Sequence, residues 1–302
     1  MRRSIGPVVC LACALPWLDP AAPAQDFDKV EIQTVRVADG VWMLTGAGGN
    51  IAVSAGEDGV LLIDDEFPQL VEKIKAAVAP LGGGGLIRLV LNTNWHFDHA
   101  DGNELFAKAG AIVVAHETSR DHMTREWSAP EFAPGKIPPY PKAALPVITF
   151  KDSLTLHFNG DEVTAIHVPN AHSDGDALYR FRKANVIHTG DLYFSNGFPF
   201  INVSSEGTID GMIRASDEIL RIADADTKVI PGHGAVSDRR GVQSFRDMLV
   251  AARARIARLV KEGKTLEEVI QAAPVADLYT GGQSFIAPEL FVKVVYLELA
   301  RK

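Results

Sequence analysis

The segment LVLNTNWHFDHADGN, residues 89–103, follows an apolar run and contains side chains that commonly bind metals. It places His96, Asp98 and His99 within four residues of one another. Imidazole nitrogens and carboxylate oxygens bind zinc at about 2.0–2.2 Å. Zinc held by such ligands lowers the pKa of a bound water molecule to about 7, which supplies a nucleophile at neutral pH. The segment alone predicts part of a metal site.

Three later loops carry further possible ligands. His172 lies in the polar run NAHSDGD, Asp191 ends the run HTGD, and His233 lies in the run PGHG. Each run follows a predicted strand, and α/β proteins build their sites at the carboxyl ends of strands. Four such loops in one chain are difficult to explain by chance, so we expect them to converge on one site.

The local conformation of the first segment can also be predicted. After its apolar strand, the chain is expected to continue extended through Asn94, His96 and Asp98. Because side chains two residues apart in an extended chain point the same way, these three should face one side. His99 is then expected at the bend into a helix that begins near Gly102.

Hydrophobic periodicity predicts strands and helices in two similar sets. The first set has strands at 41–45, 51–55, 60–64, 86–91 and 111–115, and helices at 68–78, 104–108 and 117–127. The second set has strands at 147–150, 154–158, 163–167, 177–181, 186–189 and 228–230, and a helix at 209–223. The tail is expected to be helical, with an amphipathic stripe over 245–259, a capping box at 265–268 and a last helix over 285–299. This order predicts two sheet-plus-helix layers joined face to face.

The first 24 residues have the features of a secretory signal peptide. Arg2 and Arg3 form a positive start, an apolar core runs from Ile5 to Leu18, and an A-x-A cleavage site ends at Ala24. The core is too short and wrongly flanked for a membrane span. We therefore expect export to the periplasm or the medium, and a single mature domain over residues 25–302 with a helical tail and no membrane segment.

Composition narrows the chemistry further. Both cysteines, Cys10 and Cys13, lie in the leader, so the mature chain is expected to have no disulfide, no thiolate ligand and no thiol nucleophile. The formal net charge of the sequence is −8, which argues against a nucleic-acid partner because such a partner requires a basic surface. The expected partner is a small-molecule substrate.

The chain resembles the metallo-β-lactamase-fold hydrolases over nearly its whole mature length. The resemblance rests on the run NWHFDH, on the three later runs, and on their order and spacing. It implies an α/β fold, an αββα sandwich of two mixed β-sheets flanked by helices, with a zinc site in the cleft between the sheets. It also implies a role for each ligand: the first zinc would be held by His96 and His172, the second by Asp98, His99 and His233, and Asp191 would bridge both.

Asn94 is the departure from this family. The usual pattern has histidine there, whereas Asn94 offers only a neutral carbonyl oxygen, which is a weak zinc ligand beside imidazole. We therefore expect two zinc ions, the first held loosely and the second tightly. Some lactamases of this fold carry Asn or Gln at this position, but they usually pair it with a cysteine ligand, and here Asp191 stands in the matching place.

The resemblance implies hydrolysis of an acyl bond by zinc-activated water. The candidate catalytic residues are Asp98, which would orient the nucleophile while it binds metal, together with Asn94 and Tyr193. A β-lactam is the first choice of substrate, because export places the enzyme where such antibiotics arrive. The protein would then confer antibiotic resistance.

The group that would bind a β-lactam carboxylate is not evident. Many lactamases of this fold have a basic or hydroxyl group near the position of Phe194, three residues after Asp191. In this chain Tyr193 would have to serve, or one of three substrate-binding candidates: Asn196 and the loop lysines Lys136 and Lys142.

Three alternatives remain open. The lack of a lysine after Asp191 keeps a lactone or thioester substrate close behind the β-lactam. Iron-dependent oxidoreductases occur with this fold, but the mononuclear-iron relatives rely on the histidine that Asn94 replaces. The third alternative is a metal-binding protein without catalysis, in which Asn94 marks a decayed first site. The complete set of second-site ligands argues against this alternative.

Overall fold

The computed structural model describes residues 25–128, 135–282 and 284–301. The signal peptide predicted for residues 1–24 lies outside these ranges. Over the described residues the chain forms two β-sheets that face each other, with helices on their outer faces. The predicted fold class is confirmed.

The first sheet has seven strands, which lie side by side in chain order. They are β1 Gln33–Ala38, β2 Val41–Thr45, β3 Ile51–Gly56, β4 Gly59–Ile63, β5 Ile87–Leu91, β6 Ile112–His116 and β7 Ile148–Phe150. Strands β1 to β4 pair antiparallel, and β4 to β7 pair parallel. Because parallel strands need crossover connections, helices occupy this part of the chain: α1 Val71–Val78, α2 Phe97–Ala100, α3 Asn103–Lys108 and α4 Glu117–Met123.

The second sheet has six strands in the order β13-β12-β11-β10-β9-β8. They are β8 Ser153–Phe158, β9 Asp161–His167, β10 Ala177–Phe181, β11 Val186–His188, β12 Lys228–Ile230 and β13 Ser237–Asp238. The parallel pair β11 and β12 is connected through α5 Ile209–Ile222, and the other pairs are antiparallel. The chain ends in α6 Arg239–Lys261, α7 Leu266–Gln271 and α8 Pro288–Ala300.

The core between the sheets fixes where the cleft lies. Leu61, Ile63 and Leu91 of the first sheet pack with Tyr179 and Phe181 of the second, and all five are fully buried. At one edge of this core the Tyr179 hydroxyl donates a hydrogen bond to the carbonyl oxygen of Asn92, at 2.8 Å. Asn92 follows β5, so this contact brings the end of β5 against the second sheet.

Most of the predicted elements occur within two or three residues of their predicted bounds. The strands β2, β10 and β12 and the capping box of α7, between Thr265 and Glu268, are as predicted. The helix predicted over 117–127 ends at Met123, because Trp127 instead exchanges two backbone hydrogen bonds with Ile137. Strand β1 was not predicted.

No helix among the described residues is long and apolar enough to cross a membrane.

Candidate metal centre

The chain after β5 becomes helical earlier than the sequence pattern indicates. His96 is the last extended residue, and α2 begins at Phe97. The backbone nitrogens of His99 and Ala100 donate hydrogen bonds to the His96 carbonyl oxygen, at 3.0 and 3.1 Å. The prediction of an extended chain through Asp98 is therefore wrong, whereas the helix predicted to begin near Gly102 is present as α3, which begins at Asn103. A single helical turn carries both Asp98 and His99.

Six ligand-type side chains form two adjoining clusters, as the sequence runs indicate. The first cluster contains His96, His172 and Asp191, and the second contains Asp98, His99 and His233. In each cluster the ligand atoms lie within 4.8 Å of one another, and all six side chains are buried. His96, Asp98 and His99 come from the chain after β5, His172 from the loop after β9, Asp191 from the turn after β11, and His233 from the loop after β12.

The Asp191 carboxylate lies between the two clusters. Its Oδ2 atom is 3.4 Å from Nε2 of His172 and 3.2 Å from Nε2 of His99. Its Oδ1 atom is 3.4 Å from Nε2 of His233. One carboxylate is thus close to histidines of both clusters, which is the position that a bridging ligand requires.

Three buried atoms at the centre have no hydrogen-bond partner among the described residues: Nε2 of His99, Nε2 of His172 and Oδ1 of Asp191. A buried polar atom without a partner costs about 1–3 kcal/mol, and these three atoms belong to the two adjoining clusters, so a ligand bound there would satisfy them. Imidazole nitrogens with a carboxylate oxygen are donors that zinc accepts. The residues present therefore fit a metal ion.

Carboxylates behind two of the histidines determine which ring nitrogen faces the centre. Nδ1 of His99 is 2.8 Å from Oδ2 of Asp64, and Nδ1 of His172 is 2.9 Å from Oδ1 of Asp176. Such carboxylate partners fix the tautomer and orientation of metal-binding histidines. Asp64 is itself held by Thr93, whose backbone nitrogen and hydroxyl both donate to it. Asp176 was not predicted; its spacing of four residues from His172 was the available signal.

A glycine-rich loop between β2 and β3, residues 46–50, covers the second cluster. Gly49 lies so close to His99 that an added Cβ atom would be 2.2 Å from the imidazole Cε1. The backbone nitrogens of Ala47 and Gly48 donate to the Glu66 carboxylate at 3.0 and 3.1 Å. The Asn50 amide donates to two carbonyl oxygens beside His233, those of residues 231 and 234. Sequence reasoning missed this loop.

The electrostatics of the site favour positive charge. Burial alone would raise the pKa of Asp191, but His99, His172 and His233 outweigh it and hold the pKa far below its usual value. Burial alone would lower the pKa of His99, but Asp191, Asp98 and Asp64 outweigh it and hold the pKa well above its usual value. Carboxylates that stabilise a charged imidazole would also stabilise a metal cation.

His96 differs from His99 in this respect. Burial lowers the pKa of His96 well below its usual value, and the nearby His172 lowers it further. A neutral imidazole is the form that binds a metal.

The remaining predicted site residues have other contacts. The Asn94 carbonyl oxygen accepts a hydrogen bond from the His96 backbone nitrogen at 2.8 Å, and its amide donates to Thr93. The Tyr193 hydroxyl is hydrogen bonded to Ser237 at 2.8 Å. Asn196 is half-buried and follows Phe194 in the loop after Asp191.

The two loop lysines lie at the surface. Lys136 forms an exposed ion pair with Glu126 at 2.6 Å, and Lys142 begins a short 3-10 turn. Within the described residues, neither lysine has a hydrogen bond or ion pair to any of the six candidate ligands.

Aromatic rings flank both clusters. Phe285 and Phe194 stack on His233, with ring centroids 4.2 and 5.3 Å from the imidazole. On the other side, Phe200 lies 5.6 Å from His96 and 5.5 Å from His172, and Trp127 lies 5.2 Å from His96. Aromatic rings therefore form part of the walls beside the candidate metal site.

Comparison with known proteins agrees with this geometry. The sequence profile of the metallo-beta-lactamase superfamily matches residues 44–234. A hydroxyacylglutathione hydrolase from Pelagibacter ubique (strain HTCC1062) is 28% identical over 148 residues, which cover 49% of this chain and 52% of that protein. The chain thus spans about half the length of this curated relative.

Solved structures share the fold at low sequence identity. DIM-1 metallo-beta-lactamase has a TM-score of 0.59 and 17% identity, over 74% of this chain and 100% of that one. A metallo-beta-lactamase from Pontibacter korlensis has a TM-score of 0.57 and 16% identity, over 73% and 99%. The stereoselective inverting sec-alkylsulfatase Pisa1 from Pseudomonas sp. has a TM-score of 0.67 and 16% identity, over 90% and 50%. With a profile match over well more than half of its length, the chain belongs to the metallo-β-lactamase superfamily of metal-dependent hydrolases.

Proposed function

We propose that this protein is a zinc-dependent hydrolase that cleaves an ester or thioester bond next to an apolar group. The observation that carries the proposal is the convergence of partnerless Nε2 and Oδ1 atoms from His99, His172 and Asp191. His96, His172 and Asp191 would hold one zinc ion, and Asp98, His99 and His233 would hold the other, with Asp191 shared. Zinc would lower the pKa of water and polarise the substrate carbonyl.

The chain's own residues would then orient the reactants. Asp98 is ionised, because His99 and His233 outweigh the effect of burial and keep its pKa below the usual value. Its Oδ2 atom lies 3.3 Å from Nε2 of His233 and 3.6 Å from Nε2 of His99. An ionised carboxylate at this position accepts a hydrogen bond from the attacking water and so directs its lone pair at the carbonyl carbon.

The walls of the site favour an uncharged group beside the scissile bond. The aromatic rings that flank His233 and His96 provide apolar contact. No lysine or arginine among the described residues forms an ion pair with a candidate ligand carboxylate or hydrogen bonds to a candidate ligand histidine. β-Lactams and glutathione both carry carboxylates, so an uncharged ester or thioester is the first candidate, and the β-lactam predicted from the sequence becomes the second. The name of the Pelagibacter ubique relative, a hydroxyacylglutathione hydrolase, supports an acyl thioester.

A substrate panel tests this proposal. Purified protein would be assayed with an acyl thioester of a small thiol, a glutathione thioester, an aryl ester, a lactone, a cephalosporin and an alkyl sulfate. We expect thioester and ester hydrolysis that chelator abolishes and zinc restores, and elemental analysis should find zinc rather than iron.

Two histidine variants provide the matched control. His172→Ala should lose most of the rate, whereas His157→Ala should keep it, because His157 is an exposed residue of β8. Hydrolysis that is insensitive to chelator would contradict the metal-dependent mechanism. A preference for the cephalosporin would instead favour a β-lactam as the natural class of substrate.

A further inference from the structure

In three of the candidate ligand histidines, one imidazole nitrogen contacts a side chain outside the two clusters. These outer nitrogens do not all face the same kind of group. Those of His99 and His172 face the carboxylates of Asp64 and Asp176. The corresponding contact of His96 is with an amide: its Nε2 atom lies 3.0 Å from Nδ2 of Asn202, and both side chains are buried. An amide can either donate or accept at this position, whereas a carboxylate only accepts.

The contact with Asn202 leaves Nδ1 of His96 as the nitrogen available to the first cluster. Within the described residues, no hydrogen bond involves Nδ1 of His96. His96 would thus bind metal through Nδ1, whereas His99 and His172 present their Nε2 atoms. The ligand nitrogen of His96 therefore depends on what happens at its Nε2 atom.

The tautomer of His96 follows from the direction of this hydrogen bond. A neutral imidazole has one N–H group and one lone pair. When Nδ2 of Asn202 donates to Nε2, the ring proton lies on Nδ1, and Nδ1 has no lone pair for a metal. Binding through Nδ1 requires the proton on Nε2, with the Asn202 oxygen turned towards it to accept.

A second contact opposes this turn of the amide. The Asn202 carbonyl oxygen accepts a hydrogen bond from the backbone nitrogen of Ser205 at 3.2 Å. The backbone of Asn202 is itself fixed, because its nitrogen donates to the carbonyl oxygen of His172 at 2.8 Å. A half-turn of the amide would place two donors, Nδ2 and the Ser205 nitrogen, against each other. The single carbonyl oxygen of the Asn202 side chain would thus have to accept from both the His96 Nε2–H group and the Ser205 backbone nitrogen.

We propose that Asn202 is a positioning residue that holds His96 in the tautomer unable to bind metal through Nδ1, and thereby weakens the first site. The inference rests on the metal site proposed above, but not on the substrate. Asp176 provides the comparison within the same molecule. Its two oxygens accept from the Ser173 backbone nitrogen and face Nδ1 of His172, so both demands are met at once.

The test is Asn202→Asp, which supplies an acceptor for both groups. Zinc would be titrated by calorimetry into chelator-stripped wild-type and variant protein. We expect the first-site affinity to rise about 10- to 100-fold, the range by which such outer partners alter metal affinity. Gln271→Glu is the charge control, because it adds the same charge on the exposed end of α7 and should leave the titration unchanged.

The ring-nitrogen NMR spectrum of stripped protein gives a readout that needs neither metal nor activity. His96 should be protonated on Nδ1 in the wild type and on Nε2 in the Asn202→Asp variant, with His96→Gln used to assign the signal. A wild-type protein already protonated on Nε2 would overturn the proposal, even if the variant did not fold. Tighter zinc binding without a change of tautomer would also overturn it, since the new carboxylate would then be a ligand. Failure of the wild type and the variant alike to bind zinc would instead reject the proposed function.

Discussion

The Asn94 side chain closes the turn that leads into α2, because its carbonyl oxygen accepts a hydrogen bond from the His96 backbone nitrogen at 2.8 Å. Histidines make the same contact elsewhere in this chain. Nδ1 of His116 accepts from the backbone nitrogen two residues later at 3.2 Å, and so does Nδ1 of His188. A histidine at position 94 could therefore close the turn through Nδ1 and present Nε2 to the first cluster.

Asn94→His is expected to strengthen the first metal site by about tenfold or more, which corresponds to about 1.4 kcal/mol or more of binding free energy. Imidazole is a better zinc ligand than an amide oxygen. Zinc titration of stripped protein should show one tight and one weak event in the natural protein, and a tightened weak event in the variant. Two equally tight sites in the natural protein would show that Asn94 does not lower the zinc affinity of the first site. An unaltered titration in the variant would show that position 94 does not face the metal.

Asp191→Asn should remove most of the metal and abolish activity. The carboxylate of Asp191 is close to histidines of both clusters, and an amide has one oxygen and no charge to offer to two ions. Elemental analysis after dialysis measures the loss. The matched control is Asp174→Asn, because Asp174 pairs with His122, outside the six candidate ligands. Full metal content in the Asp191 variant would contradict the bridging role.

Gly49→Ala should weaken the second site at least about tenfold, since the new Cβ atom would overlap the His99 ring and displace it. The first site should be less affected. Zinc titration resolves the two events. Gly84→Asn is the control, because an added Cβ atom at Gly84 meets nothing within 4 Å and asparagine tolerates its positive φ of 62°. Unchanged affinity in the Gly49 variant would show that the loop can shift away from His99.

Glu66→Gln should remove a pH dependence from the stability of chelator-treated protein. Burial raises the pKa of Glu66 from 4.5 to about 7. Between these values the unfolded chain releases the proton while the folded chain keeps it, so the free energy of unfolding falls as pH rises. The contribution is fully present below about pH 4.5 and is lost above about pH 7. Urea denaturation across this window should show a steeper decline for the wild type than for the variant. Parallel curves would contradict a raised pKa.

The grouping of the six candidate ligands could be predicted, because these residues follow strands and are histidines and aspartates, which commonly bind metals. His116 shows the limit of composition alone: it is a histidine at the end of a strand, yet it caps α4 rather than joining a cluster. The outer partners were harder to predict. Asn202 lies 106 residues from His96 in the sequence, and only the packing of one sheet on the other brings the two side chains together.

The early helix at Phe97 could not be predicted from alternation of side chains. The pattern Asn94, His96, Asp98 has the spacing of a strand, but the hydrogen bond from the His96 backbone nitrogen to Asn94 ends the extended chain there. Strand β1 was missed because four of its six residues are exposed, so its sequence lacks the apolar face that identifies a strand.

Each cluster of candidate ligands draws residues from both sheets: the chain after β5 belongs to the first, and the loops after β9, β11 and β12 belong to the second. A bound ion would therefore act as a cross-link between the two halves of the sandwich. By mass action, free metal at 1,000 times its dissociation constant adds about 4.1 kcal/mol to folding. Loss of metal should then open the seam between the sheets to proteases, and digestion rates with and without chelator would report on metal binding in an assay that needs no substrate.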